Sequence, residues 1–384
     1  MILPFARLGR SISAVVRTET DRCPGVLAVH KAADGGLARV RLPGGLLTVA
    51  QFDVLRQAAD ELGDGRLELT SRGNVQVRGL TGDGPRELSQ RLYDAGLLPS
   101  ITHDRVRNIL ASPLSGLDSD SRYDVLPVAT AVDHALCARR KLAELPGRFL
   151  FALDDGRGDL AGVRADVLVR ALDDREAVLT LGSSGVRVTW SDAADVMIAA
   201  AKAFLKVRSG QEWRIAEVPD GEARILDRLG LEPTVEVPTA TTTVDAGRHG
   251  DDALVVTVPL GSLGQEQAAV VADVADEIRL TPWRSMVLRV RSDPAERLDG
   301  VGLVTKPDSP WNGVTACAGR PGCAQALADV RADARRVTPR LPRHGQPVHW
   351  SGCDRRCGKP AGEFVDVLAV GNGYVIDGER MGLR

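Results

Sequence analysis

The chain has 384 residues and a formal net charge of −2, with 49 basic and 51 acidic side chains. This length predicts two or three domains with a large hydrophobic core. The balanced charge, without a basic run interleaved with aromatic residues, argues against a nucleic-acid partner. The amino-terminal segment has no long apolar run, so we expect neither a signal peptide nor a membrane anchor, and a cytoplasmic location.

The first predicted unit is a strand, a helix and a strand within residues 37–80. The helix is expected to begin at Thr48, where Gln51 three residues later would complete a capping box. A short helix follows over residues 85–95, with its leucines on one face. This order is typical of a ferredoxin-like half-domain, which we place at residues 1–100.

An α/β unit is predicted next, at residues 101–210. It has strands at 148–153 and 165–172, a hairpin, and a long alanine-rich helix capped by Ser191 or Asp192. A Pro- and Thr-rich stretch at 232–243 then indicates a linker, which we place at residues 211–245.

A second strand-helix-strand unit, at residues 253–291, resembles the first. Its helix is expected to open at Ser262 with Gln265 three residues later. The matching residues are Leu67, Leu69, Thr70 and Arg78 in the first copy and Ile278, Leu280, Thr281 and Arg289 in the second. An internal duplication explains the match, although two such units also resemble each other by chance. The duplication predicts a second half-domain at residues 246–305 and a second α/β unit at residues 306–384.

Four of the six cysteines form two close pairs. Five residues separate Cys317 from Cys323, and three separate Cys353 from Cys357, all in glycine-containing loops. Four thiolates arranged in this way bind an iron-sulfur cluster or zinc. Structural zinc favours gaps of two to four residues, so the first pair favours the cluster. Zinc and disulfides remain alternatives, and disulfides are disfavoured in a reducing compartment. The two other cysteines, Cys23 and Cys137, are interpreted as buried small hydrophobes.

The doubled architecture, the cysteine pairs and the segments TSRGNVQVRG and RNILASPLSGLD together resemble the siroheme sulfite and nitrite reductase superfamily. The resemblance covers nearly the whole chain. Within the superfamily the chain most resembles the precorrin-3B synthases, in its compact length, its RCPG segment at 22–25 and its SPLSGLD segment. The implied fold class is α+β, with a duplicated nitrite/sulfite reductase-like architecture of two ferredoxin-like half-domains and two siroheme-reductase-type α/β units.

The resemblance also implies cofactors and substrates. A 4Fe-4S cluster would be held by Cys317, Cys323, Cys353 and Cys357, close to a tetrapyrrole between the halves. In the reductases that ring is siroheme, and the last cysteine joins it to the cluster. In the precorrin-3B synthases the ring is the substrate precorrin-3A, which dioxygen and a reductant convert by hydroxylation and lactone formation. A mononuclear non-haem iron is implied for oxygen activation. The chain has no dinucleotide-binding fingerprint, so electrons are expected from a separate donor protein.

The ring's acetate and propionate groups require guanidinium partners, which bind carboxylates bidentately. The predicted tetrapyrrole contacts are Arg72, Arg107, Asn108 and Arg148. For Arg78 a solvated position at a strand end is the favoured interpretation. In the second copy Trp283 occupies the equivalent turn beside Arg284, where it would pack either on the ring or in the core.

One departure from the superfamily pattern bears on the reaction. Sulfite reductases carry two lysines in a strand after Leu-Pro, and here Arg148 and Leu150 take those positions. Reduction of a small anion needs proton donors there, so the change weakens a reductase assignment, and an apolar Leu150 would suit oxygen and a carbon centre. Three functions remain open: a precorrin oxygenase, a siroheme-dependent reductase and a non-catalytic tetrapyrrole-binding electron carrier.

The ligands of the implied non-haem iron are not readable from the sequence. The six histidines show no spacing of the two-histidine-one-carboxylate type. The His103-Asp104 pair is the best candidate because it lies just before Arg107. For every histidine, however, a surface or core position is the stronger interpretation.

Overall fold

The computed structural model describes residues 23–381, which form eight α-helices and four five-stranded sheets. The first 22 residues of the predicted half-domain, including the start of the RCPG segment, lie outside the described residues. The helices are α1 Val49–Leu62, α2 Gly84–Asp94, α3 Leu126–Cys137, α4 Trp190–Val207, α5 Gly221–Leu229, α6 Gln265–Val274, α7 Ala295–Gly300 and α8 Val330–Val337. Within the described part of the chain, no helix combines the length and apolar character needed to cross a membrane.

The twenty strands group into two pairs of matching sheets. The strands are β1 His30–Ala32, β2 Gly35–Val40, β3 Leu46–Thr48, β4 Leu67–Leu69, β5 Val75–Leu80, β6 Ile109–Ala111, β7 Phe151–Asp154, β8 Val167–Ala171, β9 Glu176–Leu181, β10 Ser184–Thr189, β11 Gly247–His249, β12 Ala253–Thr257, β13 Ser262–Leu263, β14 Glu277–Leu280, β15 Ser285–Arg289, β16 Val314–Ala316, β17 Val348–Ser351, β18 Val365–Val370, β19 Gly373–Ile376 and β20 Glu379–Met381.

The two half-domain sheets are antiparallel and exchange a strand. Their orders are β1-β2-β5-β4-β13 and β11-β12-β15-β14-β3, so β13 of the second copy completes the first sheet and β3 of the first copy completes the second. Leu47 and Leu263, one on each exchanged strand, are fully buried in a single hydrophobic core that both sheets and α1, α2 and α6 share. The two half-domains therefore form one packing unit.

The same tight turn precedes both exchanged strands. In the first copy Gly44 and Gly45 have φ of 68° and 72°, and in the second Leu260 and Gly261 have φ of 60° and 69°. Two consecutive left-handed residues after a proline are unusual, and only glycine adopts them without strain. Their recurrence at matching positions supports the internal duplication.

A second turn recurs between the last two strands of each copy. Thr70 and Thr281 each accept, through Oγ1, the backbone N–H groups two and four residues later. The residue three positions on, Gly73 or Arg284, has φ of 59° in both copies. The two copies thus share hydrogen bonds as well as strand order, even though Arg284 adopts a backbone conformation that favours glycine.

The two α/β units share one sheet topology. Both sheets run in chain order, β6 to β10 and β16 to β20, with three parallel strands followed by two antiparallel ones. Helices α3, α4 and α5 bury the first sheet, and α8 packs on the second. This confirms the predicted α+β class with two half-domains and two α/β units.

The capping predictions were right for one helix and wrong for two. Thr48 and Gln51 form the expected capping box of α1. Helix α6 begins at Gln265, with its cap at Gly264, instead of opening at Ser262. Ser262 belongs to the exchanged strand, whose pairing outcompetes a local cap. Helix α4 begins at Trp190, so Thr189 precedes it in place of Ser191 or Asp192.

The predicted linker at 211–245 is too long at its start. Helix α5 lies within it, and Ile215, Val218, Ile225 and Leu226 are buried in the core of the first α/β unit. Residues 232–243 carry no helix, and Val235 makes only an isolated bridge to Gly185. The connection between the halves is therefore this Pro- and Thr-rich stretch alone.

We expect Gly45→Ala to destabilise the fold strongly. A Cβ on Gly45 would lie 2.2 Å from the carbonyl oxygen of Leu280 and would meet a φ of 72°. The left-handed backbone costs about 1–2 kcal/mol, and the clash with fixed backbone raises the loss of unfolding free energy to about 3 kcal/mol. Gly82→Ala is the control, because Gly82 also has positive φ but has nothing within 4 Å of its Cβ position. Equal denaturation midpoints for the two variants would contradict the close approach.

Candidate functional site

The four paired cysteines meet at one end of the second α/β sheet. Cys317 directly follows β16 and Cys353 follows β17 by two residues, and these neighbouring strands are parallel. Because parallel strands present their carboxyl ends at the same edge, the two loops face each other. All four cysteines line one cavity of about 560 Å³. The structure therefore brings together the predicted ligand set, Cys317, Cys323, Cys353 and Cys357.

The cysteine pairs bear on the metal alternatives. All four are free thiols, so no disulfide joins them. Five residues separate Cys317 from Cys323, and structural zinc prefers gaps of two to four, so this pair favours an iron-sulfur cluster.

The surroundings of the thiols suit a negatively charged cluster. The N–H of Gly352 donates to the Cys317 sulfur over 3.2 Å, and such donors stabilise charge on cluster sulfurs. A Cβ on Gly352 would lie 2.7 Å from that of Ala326, so the close approach requires glycine. Burial, and then the neighbouring thiols, raise the pKa of Cys357 above its usual value. The raised pKa favours the neutral thiol of Cys357, and a bound metal centre would supply the positive charge that a thiolate requires there.

The opposite wall of the cavity is the face of the first half-domain sheet. Arg39 on β2 and Gln76 on β5 are cross-strand partners, and both line the cavity. The basic side chains of the lining are Lys31, Arg39, Arg78, Arg284, Arg331 and Arg355, against one acidic residue, Glu68. The cavity is thus strongly cationic, a property that the balanced net charge of the chain conceals.

Two of these cations join the halves. Arg331 donates to both carboxylate oxygens of Glu68 over 2.6 Å each. Arg78 donates to both oxygens of Asp34 and to the carbonyl of Gly322, in the loop that carries Cys323. The Glu68-Arg331 pair connects the first sheet to α8, and the Arg78 contact with Gly322 connects that sheet to the loop of Cys323. Arg78 is therefore buried and paired, and the prediction of a solvated strand end was wrong.

The other cations of the cavity lack acidic partners. Among the described residues, Lys31, Arg39, Arg284 and Arg355 form no salt bridge, although Arg284 donates to the carbonyl of Gly358 over 2.6 Å. Burial lowers the pKa of Arg284 to about 10. Unpaired guanidinium groups in a partly closed cavity favour an anionic ligand.

Three of the predicted ring contacts lie close to one another, although none of the four predicted contacts is among the residues that line the cavity. Arg72 donates to the carbonyls of Gly147 and Arg148, and the side-chain amide of Asn108 also donates to Gly147. Asn108 in turn accepts from Arg41 over 3.1 Å. The side chain of Arg148 is exposed and its Cζ lies 4.8 Å from the ring centroid of Trp213.

Arg107 lies apart from the others. Its guanidinium binds both oxygens of Asp133 over 2.7 Å each and also donates to the carbonyl of Leu97. These bonds use the guanidinium to hold α3 against the half-domain, so its hydrogen-bonding capacity is taken up by the protein itself. Sequence position alone could not separate this structural arginine from its neighbours.

Leu150 and the His103-Asp104 pair lie in surroundings that differ from those expected from the sequence. Leu150 lies inside the first α/β unit, packed with Leu110, Ala152 and Leu160, so it does not face an oxygen pocket. His103 is buried, with Nδ1 near the Ser100 hydroxyl and Nε2 near the carbonyl of Arg139. The Asp104 carboxylate accepts the N–H of Val26. The His103-Asp104 pair is thus occupied by structural hydrogen bonds and is not available as an iron site.

The sequence interpretation missed Arg39, Gln76 and Arg284 as cavity residues. The available signal was the period-two alternation of strands β2 and β5, which places Arg39 and Gln76 on one face. Arg284 carried no such signal, because its direction depends on a left-handed turn. Trp283 lines a separate cavity of about 250 Å³, which Arg284 also borders.

Comparison with known proteins agrees with this architecture. Residues 30–95 match the family described as the nitrite/sulfite reductase ferredoxin-like half domain. The solved structure of the Mycobacterium tuberculosis NirA protein has a TM-score of 0.70 at 21% identity, over 89% of this chain and 73% of that one. A precorrin-3B synthase from Sinorhizobium sp is 29% identical, over 94% of this chain and 83% of its own length. The chain is therefore similar, over nearly its whole length, to members of the nitrite and sulfite reductase superfamily.

Other members of the superfamily have similar identities. A ferredoxin-nitrite reductase from Synechococcus elongatus is 26% identical over 90% of this chain and 78% of its own length. The superfamily fold therefore extends over nearly the whole chain. Identity alone separates the synthase from the reductases by only a few per cent.

We expect Cys353→Ala to remove the metal centre. The variant retains three thiols, too few to complete a four-thiolate site, so bound iron and cluster absorption should fall by more than about 90%. The cluster loops should also become less stable, because metal binding organises them. Cys137→Ala, which removes a cysteine far from the cavity, should keep the iron of the parent protein. Full iron in Cys353→Ala would disprove the ligand assignment.

We expect Glu68→Gln to weaken the connection between the halves. Burial alone would raise the pKa of Glu68, but Arg331 and Ser262 outweigh it and hold the pKa below the usual value. Charged Glu68 thus adds stability above the unfolded-state pKa, and this stability disappears as the pH falls through the folded-state pKa. At pH 7 the variant should lose about 3 kcal/mol of unfolding free energy, because Arg331 stays buried and unpaired.

The difference between parent and Glu68→Gln should begin to shrink as the pH falls below the unfolded-state pKa of glutamate, about 4.3, and should disappear only below the lower folded-state pKa of Glu68. Denaturation midpoints of both proteins across pH 3–7 measure this effect. The exposed Glu232 provides a matched control, since Glu232→Gln should leave the midpoints unchanged at every pH. A difference that stays constant with pH would rule out the charge of Glu68 as the cause.

Proposed function

We propose that the chain is an oxidoreductase that acts on a tetrapyrrole, and specifically a precorrin-3B synthase. It would hydroxylate precorrin-3A with dioxygen and form the lactone, in aerobic cobalamin biosynthesis. The observation that carries this proposal is one cavity that the four cysteines line together with four basic side chains, Lys31, Arg39, Arg284 and Arg355, that form no salt bridge among the described residues. The 29% identity to a precorrin-3B synthase over 94% of the chain supports the choice of reaction.

The four cysteines would hold a 4Fe-4S cluster, which supplies single electrons when it is bound. The chain's own residues tune and shield that centre. Gly352 donates to the Cys317 sulfur, and Arg331 donates to the Cys317 carbonyl over 3.1 Å. Both contacts place positive potential beside the ligand loop, which favours the more reduced and more negative state.

A crowded group of arginines next to the cavity would receive ring carboxylates. Burial and neighbouring guanidinium groups lower the pKa of Arg72 to about 10, and burial lowers that of Arg41 to about 10. Arg39, on the cavity wall, contributes to the shift of both. Bound carboxylates would relieve this repulsion and fix the ring's orientation. Of the predicted contacts we retain Arg72, Asn108 and Arg148 and assign Arg107 a structural role.

Electrons would reach the cluster from a separate donor protein. The sequence contains no dinucleotide-binding fingerprint, and a ferredoxin-nitrite reductase is among the relatives. A mononuclear non-haem iron for oxygen activation remains part of the proposal. Its ligands are not assigned, because the described residues contain no cluster of histidine and carboxylate ligand atoms.

A siroheme-dependent sulfite or nitrite reductase is the second candidate. The identities of 26% to a nitrite reductase and 24% to a sulfite reductase from Mycobacterium tuberculosis favour it. The side chains that follow Leu145-Pro146 argue against a reductase. Leu150 is buried, and Arg148 packs on Trp213, so this strand offers no pair of proton-donating lysines.

Anaerobic purification separates the two candidates. The synthase should show cluster absorption without a siroheme band, and should convert precorrin-3A only when oxygen and a reductant are supplied. A reductase should carry siroheme and oxidise a reduced dye when sulfite or nitrite is added. Siroheme recovered by denaturing extraction, together with sulfite or nitrite turnover, would refute the synthase.

We expect Arg39→Ala and Arg72→Ala each to weaken precorrin-3A binding by about 10- to 100-fold. A hydrogen bond to a charged group contributes about 1.5–3 kcal/mol, which corresponds to that range. Anaerobic titration followed by absorption measures the affinity without turnover. Arg291→Ala removes an arginine that is 88% exposed and serves as the control. Unchanged affinity in both test variants would exclude this wall as the ring site.

A further inference from the structure

The duplication gives the cluster site a counterpart in the first α/β unit. The residue directly after β6 is Ser112, and the residue directly after β16 is Cys317. The N–H of Ser112 donates to the carbonyl of Leu153 over 2.9 Å, and that of Cys317 donates to the carbonyl of Trp350 over 3.0 Å. Ser112 therefore occupies in the first half the position that Cys317 occupies in the second.

The side chains repeat the correspondence. The N–H of Asp155 donates to the Ser112 hydroxyl over 3.1 Å, as the N–H of Gly352 donates to the Cys317 sulfur over 3.2 Å. A hydroxyl oxygen thus stands where the other half has a ligand sulfur. The same scaffold position carries an oxygen donor in one half and a sulfur donor in the other.

Three carboxylates gather around this hydroxyl. One oxygen each of Asp154, Asp155 and Asp159 lies within 4.8 Å of the others, and all three residues are buried. The Ser112 hydroxyl donates to Asp159 Oδ1 over 2.6 Å. Asp159 itself is only 6% exposed, yet its Oδ2 has no hydrogen-bond partner. A buried, unpartnered carboxylate oxygen costs several kcal/mol unless a ligand binds it.

The buried charges around the site do not balance. Arg157 is shared between Asp118 and Asp155, with contacts of 2.7–3.0 Å, and Arg170 lies 3.6 Å from Asp154. Asp159 has no basic partner among the described residues. Four carboxylates therefore face two guanidinium groups, which leaves two negative charges without compensation.

Burial and the neighbouring carboxylates also change the pKa of Asp159. Burial first, and then the charge of Asp154, raise the pKa of Asp159 to about 7. The Asp154 carboxylate accepts three backbone N–H groups. Those of Gly156 and Gly158 donate to Oδ1, and that of Leu160 donates to Oδ2. A cation at this point would compensate the charge of Asp159 and give its Oδ2 a partner.

We propose that Ser112, Asp154, Asp155 and Asp159 bind one hard divalent cation of the Mg²⁺, Ca²⁺ or Mn²⁺ class, at the pseudosymmetric counterpart of the cluster site. Oxygen-only donor sets select such ions, and two positive charges match the uncompensated charge. No histidine belongs to this ligand group within the described chain, so it lacks the imidazoles of the two-histidine-one-carboxylate iron sites. The site is structural and independent of the tetrapyrrole reaction.

Binding of Mn²⁺ tests the proposal directly. The purified holoprotein, treated with a chelator and desalted, is titrated with Mn²⁺ while electron paramagnetic resonance records the free ion. One Mn²⁺ per chain should bind tightly, and Mg²⁺ or Ca²⁺ should displace it. Asp159→Asn keeps the side-chain shape and removes one charge, so its affinity should fall at least 10-fold.

Asp174→Asn is the matched control, because Asp174 is exposed in the same α/β unit. Its Mn²⁺ affinity should equal that of the parent. Added Mn²⁺ should raise the melting temperature of the parent and of the control, but not that of Asp159→Asn. Equal Mn²⁺ binding by all three proteins would place the ion elsewhere and overturn the proposal. Absence of tight binding by the parent would also overturn it and would mean that a proton balances Asp159.

Discussion

The exchange of strands between the two half-domains is the constraint on which the rest of the structure depends. Each sheet has only four strands of its own, and the fifth, β13 or β3, comes from the other half. Both exchanged strands bury apolar side chains in one common core. Neither half can complete its sheet or its core alone, so the relative position of the halves is set by backbone pairing. The buried Glu68-Arg331 pair then fixes α8 against the first sheet.

The duplication places different side chains on one scaffold position. The parallel strands of each α/β unit end in loops at one sheet edge, and both loops use the same backbone hydrogen bonds. In the second half those loops carry cysteine sulfurs, and in the first half they carry hydroxyl and carboxylate oxygens. At the two proposed sites, soft sulfur donors would select iron and hard oxygen donors would select a cation of the Mg²⁺ class.

The cavity between the halves owes its character to arginines that lack acidic partners. The chain as a whole is nearly neutral. Locally, however, burial first, and then neighbouring guanidinium groups that include Arg39 on the cavity wall, lower the pKa values of Arg41 and Arg72. A bound polycarboxylate would compensate these buried charges. Under the proposed function the cysteines would place an electron source against the same cavity.

The sequence by itself determined the features that depend on local pattern or on residue type. The capping box of α1, the repeated strand-helix-strand units and the thiol ligand pairs were readable because spacing along the chain decides them. Only the tertiary structure decided which arginines face the cavity. Arg107 and Arg72 both follow polar segments, yet one is neutralised by Asp133 and the other is crowded by cations. Likewise, Ser262 has the pattern of a helix cap but pairs with Glu68 in an exchanged strand. The Arg107-Asp133 contact lies within the first half, whereas the Ser262-Glu68 contact joins the two halves. Both depend on residues that are distant along the chain and that only the folded structure brings together.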